Sequence, residues 1–497
     1  MSQSTKEIRR DRSVSALLDA PGARSLRLER DQSLGSPGAR LDHVYLVVSG
    51  LLKVSHLGDE DRAATSQMIW PGGFVGDVEL LAGEAQLTDI RAVTASELIS
   101  VSHAEFDALL GQDSFALDHL RHICARFCIV ARQQRSILYD VKTRAANMLL
   151  AYADAFPRPS DEGLRIGVPL TQADLASDLG VNLRSVNRAF TEWRQNKWVV
   201  LHKGWIVLSD RRAIERQVEG LENTILYPTE FPEAFKNGRD YWAESGTRCA
   251  PPEKAREKIR ENPVFSGASD DALGELLHDA HWLEVDPGTR TIEPGQASSF
   301  VDLLIEGRMR VFHATDSERK VTVKHLGAPC TLGEMQALTG LAYFQFAEAL
   351  TRCLLVRVRA DALVHFLEAN SAATQGLLRD VARRLYLAYR NEASILANVT
   401  GRVASLLLAY AEAFGRESAD GVVIRYPLTQ KIVAQETGAT TKSINRAFSA
   451  WRDAGVVDTH KGWFLLRRIG EIEAASGGLR FNLKYEAREE PPTEERL

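Results

Sequence analysis

Two stretches of this chain place base-reading and phosphate-binding side chains on one helical face. In the first, Asn182, Arg184, Ser185, Asn187 and Arg188 share the outer face of a helix whose inner face would be Val186, Phe190 and Trp193. In the second, Thr440, Thr441, Lys442, Ser443, Asn445 and Arg446 recur in the same order. Arginine and lysine pair with the guanine edge, asparagine with adenine, and serine or threonine with phosphate, so the chemistry is that of double-stranded DNA recognition. From Asn182 to Arg212 seven Lys/Arg stand against two acids, and from Thr440 to Arg468 six against two, in a chain whose net charge is −5. The DNA contact is therefore expected to be local, because an acidic protein does not coat nucleic acid along its whole surface.

The elements that must position these faces follow from punctuation. Thr171 is an N-cap candidate for a preceding helix, and Gly180, or Gly438 in the second stretch, supplies a left-handed turn before the reading helix. Gln172 and the counterparts Thr429 and Gln430 join Thr171 as candidate DNA contacts at the start of that preceding helix. The repeated His-Lys-Gly-Trp turns at His202 and His460 read as hairpin tips, with Lys203 and Lys461 beside the phosphate backbone. This is a helix-turn-helix followed by a wing, the reading helix entering the major groove by its N-terminal end.

An internal repeat organises the rest. The stretch from Val141 to Phe156 returns from Val399 to Phe414, an offset that also carries Leu170 to Leu428, Ser185 to Ser443 and His202 to His460. Earlier landmarks follow with a one-residue slip, Gly50 answering Gly307 and Gly76 answering Gly333. Each copy begins with short apolar segments around Gly and Pro, expected to be antiparallel strands of a barrel or jelly roll. A long helix follows. Its 4-3 stripe is Leu120, Cys124, Phe127, Ala131, Gln134, Leu138 and Val141 in copy one, and Leu378, Ala382, Leu385, Tyr389, Glu392, Leu396 and Val399 in copy two. Two such stripes in one chain suit a two-helix seam, with Gln134 and Glu392 close together.

The expected domains are a β-barrel at 14–112, a long helix at 113–140 and a winged helix-turn-helix at 141–220. A linker at 221–262 leads to a second β-barrel at 263–370, helix at 371–398 and winged helix-turn-helix at 399–476, with a charged tail at 477–497. At up to about 3.3 Å per residue the linker reaches far enough to set the copies side by side.

Each half resembles a member of the Crp/Fnr superfamily, most specifically in Thr400 to Arg402 leading into an apolar helix and in the two blocks running from Leu170 and Leu428 to Phe190 and Phe448. The resemblance implies an α+β multidomain fold: two cyclic-nucleotide-binding-type β-barrels (jelly rolls), each followed by a long dimerisation helix and a winged helix-turn-helix. It implies a sequence-specific DNA-binding transcription regulator acting as an intramolecular pseudo-dimer. Because the two reading faces differ, Leu183-Arg184 against Thr441-Lys442, the best operator is expected to be asymmetric, with half-sites about one helical turn apart. RNA polymerase is a further expected partner.

The family's cyclic-AMP site has a Gly-Glu-Leu turn and an arginine. This chain has Gly76-Asp77-Val78 with Gln86 and Thr88, and Gly333-Glu334-Met335 with Tyr343-Phe344-Gln345. Neither set supplies the arginine, and Ile129-Val130 and Leu387-Ala388 put apolar groups where hydroxyls would meet the adenine. Cyclic-AMP control is therefore not expected. Gly76, Asp77, Gln86, Thr88, Gly333, Glu334 and Gln345 remain a candidate pocket for an unknown small-molecule effector.

No catalytic residues, cofactor or metal site are expected: there is no Gly-rich phosphate loop, and Cys124, Cys128, Cys249, Cys330 and Cys353 lack ligand spacing. The polar N-terminus and the absence of an apolar run near 20 residues point to a cytoplasmic protein without a membrane span. The competing reading is a signalling or interaction protein whose β-barrels bind an effector or partner and whose DNA binding has degenerated; acidic or apolar recognition faces would be its mark.

Overall fold

A computed structural model describes residues 12–476, apart from 58–62, 136–138, 169, 180, 203, 219–244, 315–319, 397–398, 425–427, 438 and 461–462. It divides into two compact units, residues 1–109 with 129–229, and residues 110–128 with 230–497.

In the first unit, alternating apolar residues build two facing four-stranded antiparallel sheets. One orders the strands Arg24–Leu28, Ser96–Ser102, His43–Ser49 and Phe74–Val75; the other orders Ser33–Gly35, Asp89–Ala92, Leu52–Leu57 and Ala63–Ile69. Val47, Leu52, Val54, Ile69, Ile90 and Leu98 fill the space between them. Gly50 turns one sheet into the other at φ 90°, where an added Cβ would lie 2.6 Å from the Ala95 carbonyl oxygen. Gly307 does the same at φ 94°, 2.5 Å from the Arg352 carbonyl oxygen. The repeat keeps glycine at these corners because no side chain fits.

The helix Val141–Ala155 then carries a hairpin, the helices Gln172–Asp178 and Leu183–Gln195, and a second hairpin of Val199–His202 and Trp205–Leu208. Leu149, Leu175, Val186, Phe190, Trp193, Ile206 and Leu208 form their core, and Leu51 and Met68 of the β-domain belong to the same buried cluster. Trp70 and Phe156 pack as a tilted pair with ring centroids 4.8 Å apart. At the junction the buried carboxylate of Asp178 accepts from the Tyr152 hydroxyl at 2.6 Å and pairs with Lys53 on the β-sheet.

The second unit repeats this plan with strands Arg290–Ile292, Phe346–Ala349, Arg308–Ala314 and Lys320–Gly327 facing a five-stranded sheet. Its extra strand, Thr247–Arg248, pairs with His281–Val285, and the helix Ala255–Arg260 buries Ala255 and Ile259. This strand and helix fall within the stretch 221–262 expected as a linker, where the apolar Ala255 and Ile259 give the helix buried contacts. The stretch 221–244 and the tail 477–497 lie outside the described residues.

The long helices run over Asp113–Arg135 and Ser371–Leu396. Leu120, Cys124, Phe127 and Ala131 are buried, as are Leu378, Ala382, Leu385 and Tyr389. Within the second unit Arg126 Nη2 donates to the Tyr389 hydroxyl at 3.3 Å, and Gln375 Nε2 to the Leu110 carbonyl at 3.1 Å. Residues of the first repeat's helix therefore pack among residues of the second repeat. The side chains of Gln134 and Glu392 lie outside the described residues.

In the second reading head Leu407, Val433, Ile444, Phe448, Val457 and Phe464 make the core. Glu436 takes the place of Asp178 and accepts from the Tyr410 hydroxyl at 2.9 Å on each oxygen. Burial pushes its carboxyl up from 4.5 to about 7, against the opposing pull of the Tyr410 hydrogen bond and Arg310. The folded protein therefore holds this proton more tightly than the unfolded chain does. Stability is greatest below pH 4.5 from this group and falls as pH rises to 7, by about 3 kcal/mol in all. Glu436→Gln, which keeps an acceptor for Tyr410, is expected to remove that decline when urea midpoints are compared between pH 5 and pH 8.

Candidate nucleic-acid interface

The recognition helix Leu183–Gln195 buries Val186, Ala189, Phe190 and Trp193. Phe190 and Trp193 pack with ring centroids 5.0 Å apart, which fixes the helix's rotation. Arg184, Ser185, Asn187 and Arg188 are consequently exposed on the opposite face. Asn182 caps the helix, its Oδ1 accepting from the Arg184 amide at 2.8 Å. In the second head the helix Thr441–Asp453 buries Ile444, Ala447, Phe448 and Trp451 and exposes Thr441, Lys442, Asn445 and Arg446. Here Thr440 is the cap, accepting from the Ser443 amide at 3.2 Å, and the two hydroxyls lie 3.0 Å apart.

At the preceding helices Thr171 and Asp174 cap reciprocally: the Asp174 amide donates to Thr171 Oγ1 at 3.1 Å, and the Thr171 amide to Asp174 Oδ2 at 2.8 Å. Thr429 Oγ1 accepts from the Ile432 amide at 3.2 Å. Thr171 and Thr429 thus spend their hydroxyl oxygens on the helix start, with Gln172 and Gln430 half-buried beside them. Each wing is present as a hairpin, Val199–His202 with Trp205–Leu208 and Val457–His460 with Trp463–Leu466. Arg165 lies 4.7 Å from the Trp205 ring centre, bringing a further cation to the first wing. Lys203 and Lys461 lie outside the described residues, as do Gly180 and Gly438.

The candidate effector residues fall where each β-domain turns into a short helix. Gly76 and Gly333 adopt φ 83° and 87°. Asp77 is fully buried, and Gln86 Nε2 donates to Thr88 Oγ1 at 2.7 Å. In the second β-domain a small cavity of about 40 Å³ is lined by Phe127, Lys324, Gly333, Glu334, Gln345 and Phe346 among others.

Two cations near this cavity, Lys324 in its lining and Arg384 bonded to the lining Glu334, escaped the sequence reading because they come from distant elements. Arg384, on the long helix, donates to Glu334 Oε1 at 2.5 Å and pairs with Asp380 at 2.5 Å. Burial alone would lower its pKa, but Asp380 and Glu334 hold it above its usual value. Lys324 has its ammonium 5.6 Å from the Phe127 ring centre, and burial, with Arg384 nearby, lowers its pKa. Tyr343 also lines the cavity: its hydroxyl donates to the Phe300 carbonyl and its ring comes within 2.9 Å of where a Gly333 Cβ would be. Gln345 makes a 3.3 Å contact with the ring of His313. Burial pushes the Cys330 thiol up to about 12. Among the described residues no helix is long and apolar enough to cross a membrane.

Comparison with known proteins matches the cyclic nucleotide-binding domain to residues 25–113 and 282–370, and the Crp-like helix-turn-helix domain to residues 143–217 and 401–474. The chain is 24% identical over 204 residues to the CRP-like cAMP-activated global transcriptional regulator of Mycobacterium tuberculosis, covering 41% of this chain and 88% of that one. It is 26% identical over 196 residues to the global nitrogen regulator of Synechococcus elongatus, covering 38% and 88%. Among solved structures it is similar to a CRP-family transcriptional regulator from Thermus thermophilus, at 20% identity and a TM-score of 0.35, covering 40% of this chain and 99% of that one. With two β-domains and two helix-turn-helix domains matched in tandem over most of its length, the chain belongs to the Crp/Fnr superfamily of transcription regulators.

Proposed function

We propose that this regulator works as a single-chain pseudo-dimer on an asymmetric operator with two half-sites about one helical turn apart. The observation that carries the reading is the burial of the first repeat's helix, residues 110–128, among residues of the second repeat, with Arg126 on Tyr389 and Gln375 on Leu110. A helix that finds its partner within the same chain needs no second molecule to cover its apolar stripe. The asymmetry comes from unlike reading faces, Leu183-Arg184 against Thr441-Lys442.

Arg188 and Arg446, both exposed one turn into the reading helices, are the principal base readers, flanked by Asn187 and Asn445. Lys203 and Lys461 contact phosphate, and RNA polymerase is the partner through which bound protein acts on transcription. Cyclic AMP is not the controlling ligand. A buried cyclic phosphate needs a cationic partner, and at the second pocket Tyr343, Phe344 and Gln345 supply no arginine, Arg384 is committed to Glu334 and Asp380, and burial lowers the pKa of Lys324. At the first, Gln86 and Thr88 are joined by a hydrogen bond from Gln86 Nε2 to Thr88 Oγ1 and bring no positive charge.

One chain per operator is expected when a site recovered from a genomic footprint is analysed by light scattering of the complex; two chains on a palindrome would refute the pseudo-dimer. Arg188→Ala and Arg446→Ala are each expected to weaken specific binding by roughly 1 to 3 kcal/mol in fluorescence anisotropy. Unchanged affinity in both singles and the double would displace these helices as readers. In calorimetric titration at millimolar nucleotide, cyclic AMP is expected to give no binding heat; a saturable isotherm would reverse the assignment.

A further inference from the structure

Among the described residues only two large apolar side chains are strongly exposed, Leu183 at 43% and Ile469 at 39%. A single exposed leucine on a protein surface needs no explanation. Leu183, however, is the first residue of the recognition helix, and the rest of the face beside it is Arg184, Ser185, Asn187 and Arg188. The Asn182 cap fixes the backbone there, and Val186, Phe190 and Trp193 fix the helix's rotation from below. The leucine is thus held outward at the end of the helix that enters a major groove.

On the major-groove edge of DNA the one apolar group is the 5-methyl of thymine. Every other feature there is a donor or acceptor, which a leucine would desolvate without replacing its hydrogen bond. We propose that Leu183 is a specificity residue that reads the 5-methyl group of one thymine in the half-site bound by the first module. The inference rests on the DNA-reading function proposed above and adds the identity of one base. The second module carries Thr441 at this position, exposed and preceded by the cap Thr440. Its smaller side chain, with one methyl and a hydroxyl, covers less of a thymine methyl, so the two half-sites depend unequally on that group.

The test replaces each thymine of both half-sites, one at a time, by deoxyuridine, which removes the methyl and leaves base pairing intact. At one thymine the full-length protein is expected to lose roughly fourfold in affinity, the value of one buried carbon group. Leu183→Ala is expected to bind the thymine and deoxyuridine operators equally, while its thermal melt matches the parent because the side chain is exposed. If the parent discriminates at no thymine, or if Leu183→Ala keeps the full discrimination, the methyl contact is overturned. Selective binding without methyl dependence sinks this inference alone. Loss of all sequence selectivity removes the DNA-reading premise and the inference together.

Discussion

Each β-domain of this chain ends in a helix whose apolar stripe cannot be left in water. That constraint governs the architecture. Leu120, Cys124, Phe127, Leu378, Ala382 and Leu385 are all buried, and the first repeat's contribution up to Cys128 folds with the second repeat. The same helices supply Phe127 to the cavity of the second β-domain and Arg384 to its lining residue Glu334, and lead on to the helices that start the reading heads. One buried surface within the second unit thus joins the covering of the helices to the chemistry of the pocket.

Much of this was legible because the relevant signals are local or repeated. Val186, Phe190 and Trp193 at helical spacing defined the inner face of a reading helix, and what they left outside is what the structure exposes. Gly50 and Gly307 were legible as matching landmarks of the repeat, and the structure adds that a Cβ has no room at either corner. Other features were not legible, since they depend on residues meeting from distant elements. Nothing in their spacing marks Asp178 and Glu436, yet both are buried against a tyrosine of the preceding long segment. Nor does the spacing mark Arg384, and only the fold brings it to Glu334. The stretch 245–262 read as linker because its prolines and charges outweigh Ala255 and Ile259, the two residues that seat its helix.

The two modules share a plan and differ in electrostatics at the same place. The first junction pairs the carboxylate of Asp178 with Lys53, so two charges compensate each other beside Tyr152. In the second, Glu436 is equally buried with Tyr410 as a donor, while the matching cation, Arg310, is engaged by Glu348 at 2.6 Å. A buried pair with both partners present tolerates loss of neither, whereas a buried acid that can take up a proton tolerates a neutral replacement. Duplication has therefore not kept the two junctions chemically equivalent, just as it has not kept the two reading faces alike.

In the first module Leu51 and Met68 belong to the cluster that holds Phe190 and Trp193. The β-sheet is thus one wall of the room in which the reading helix is seated. Sequence drift in that wall is not free: a change of side-chain volume at Leu51 or Met68 is met by repacking under the reading helix or by a compensating change on it. The first module's sensor and reader are bound to evolve as a pair, whatever the history of the second.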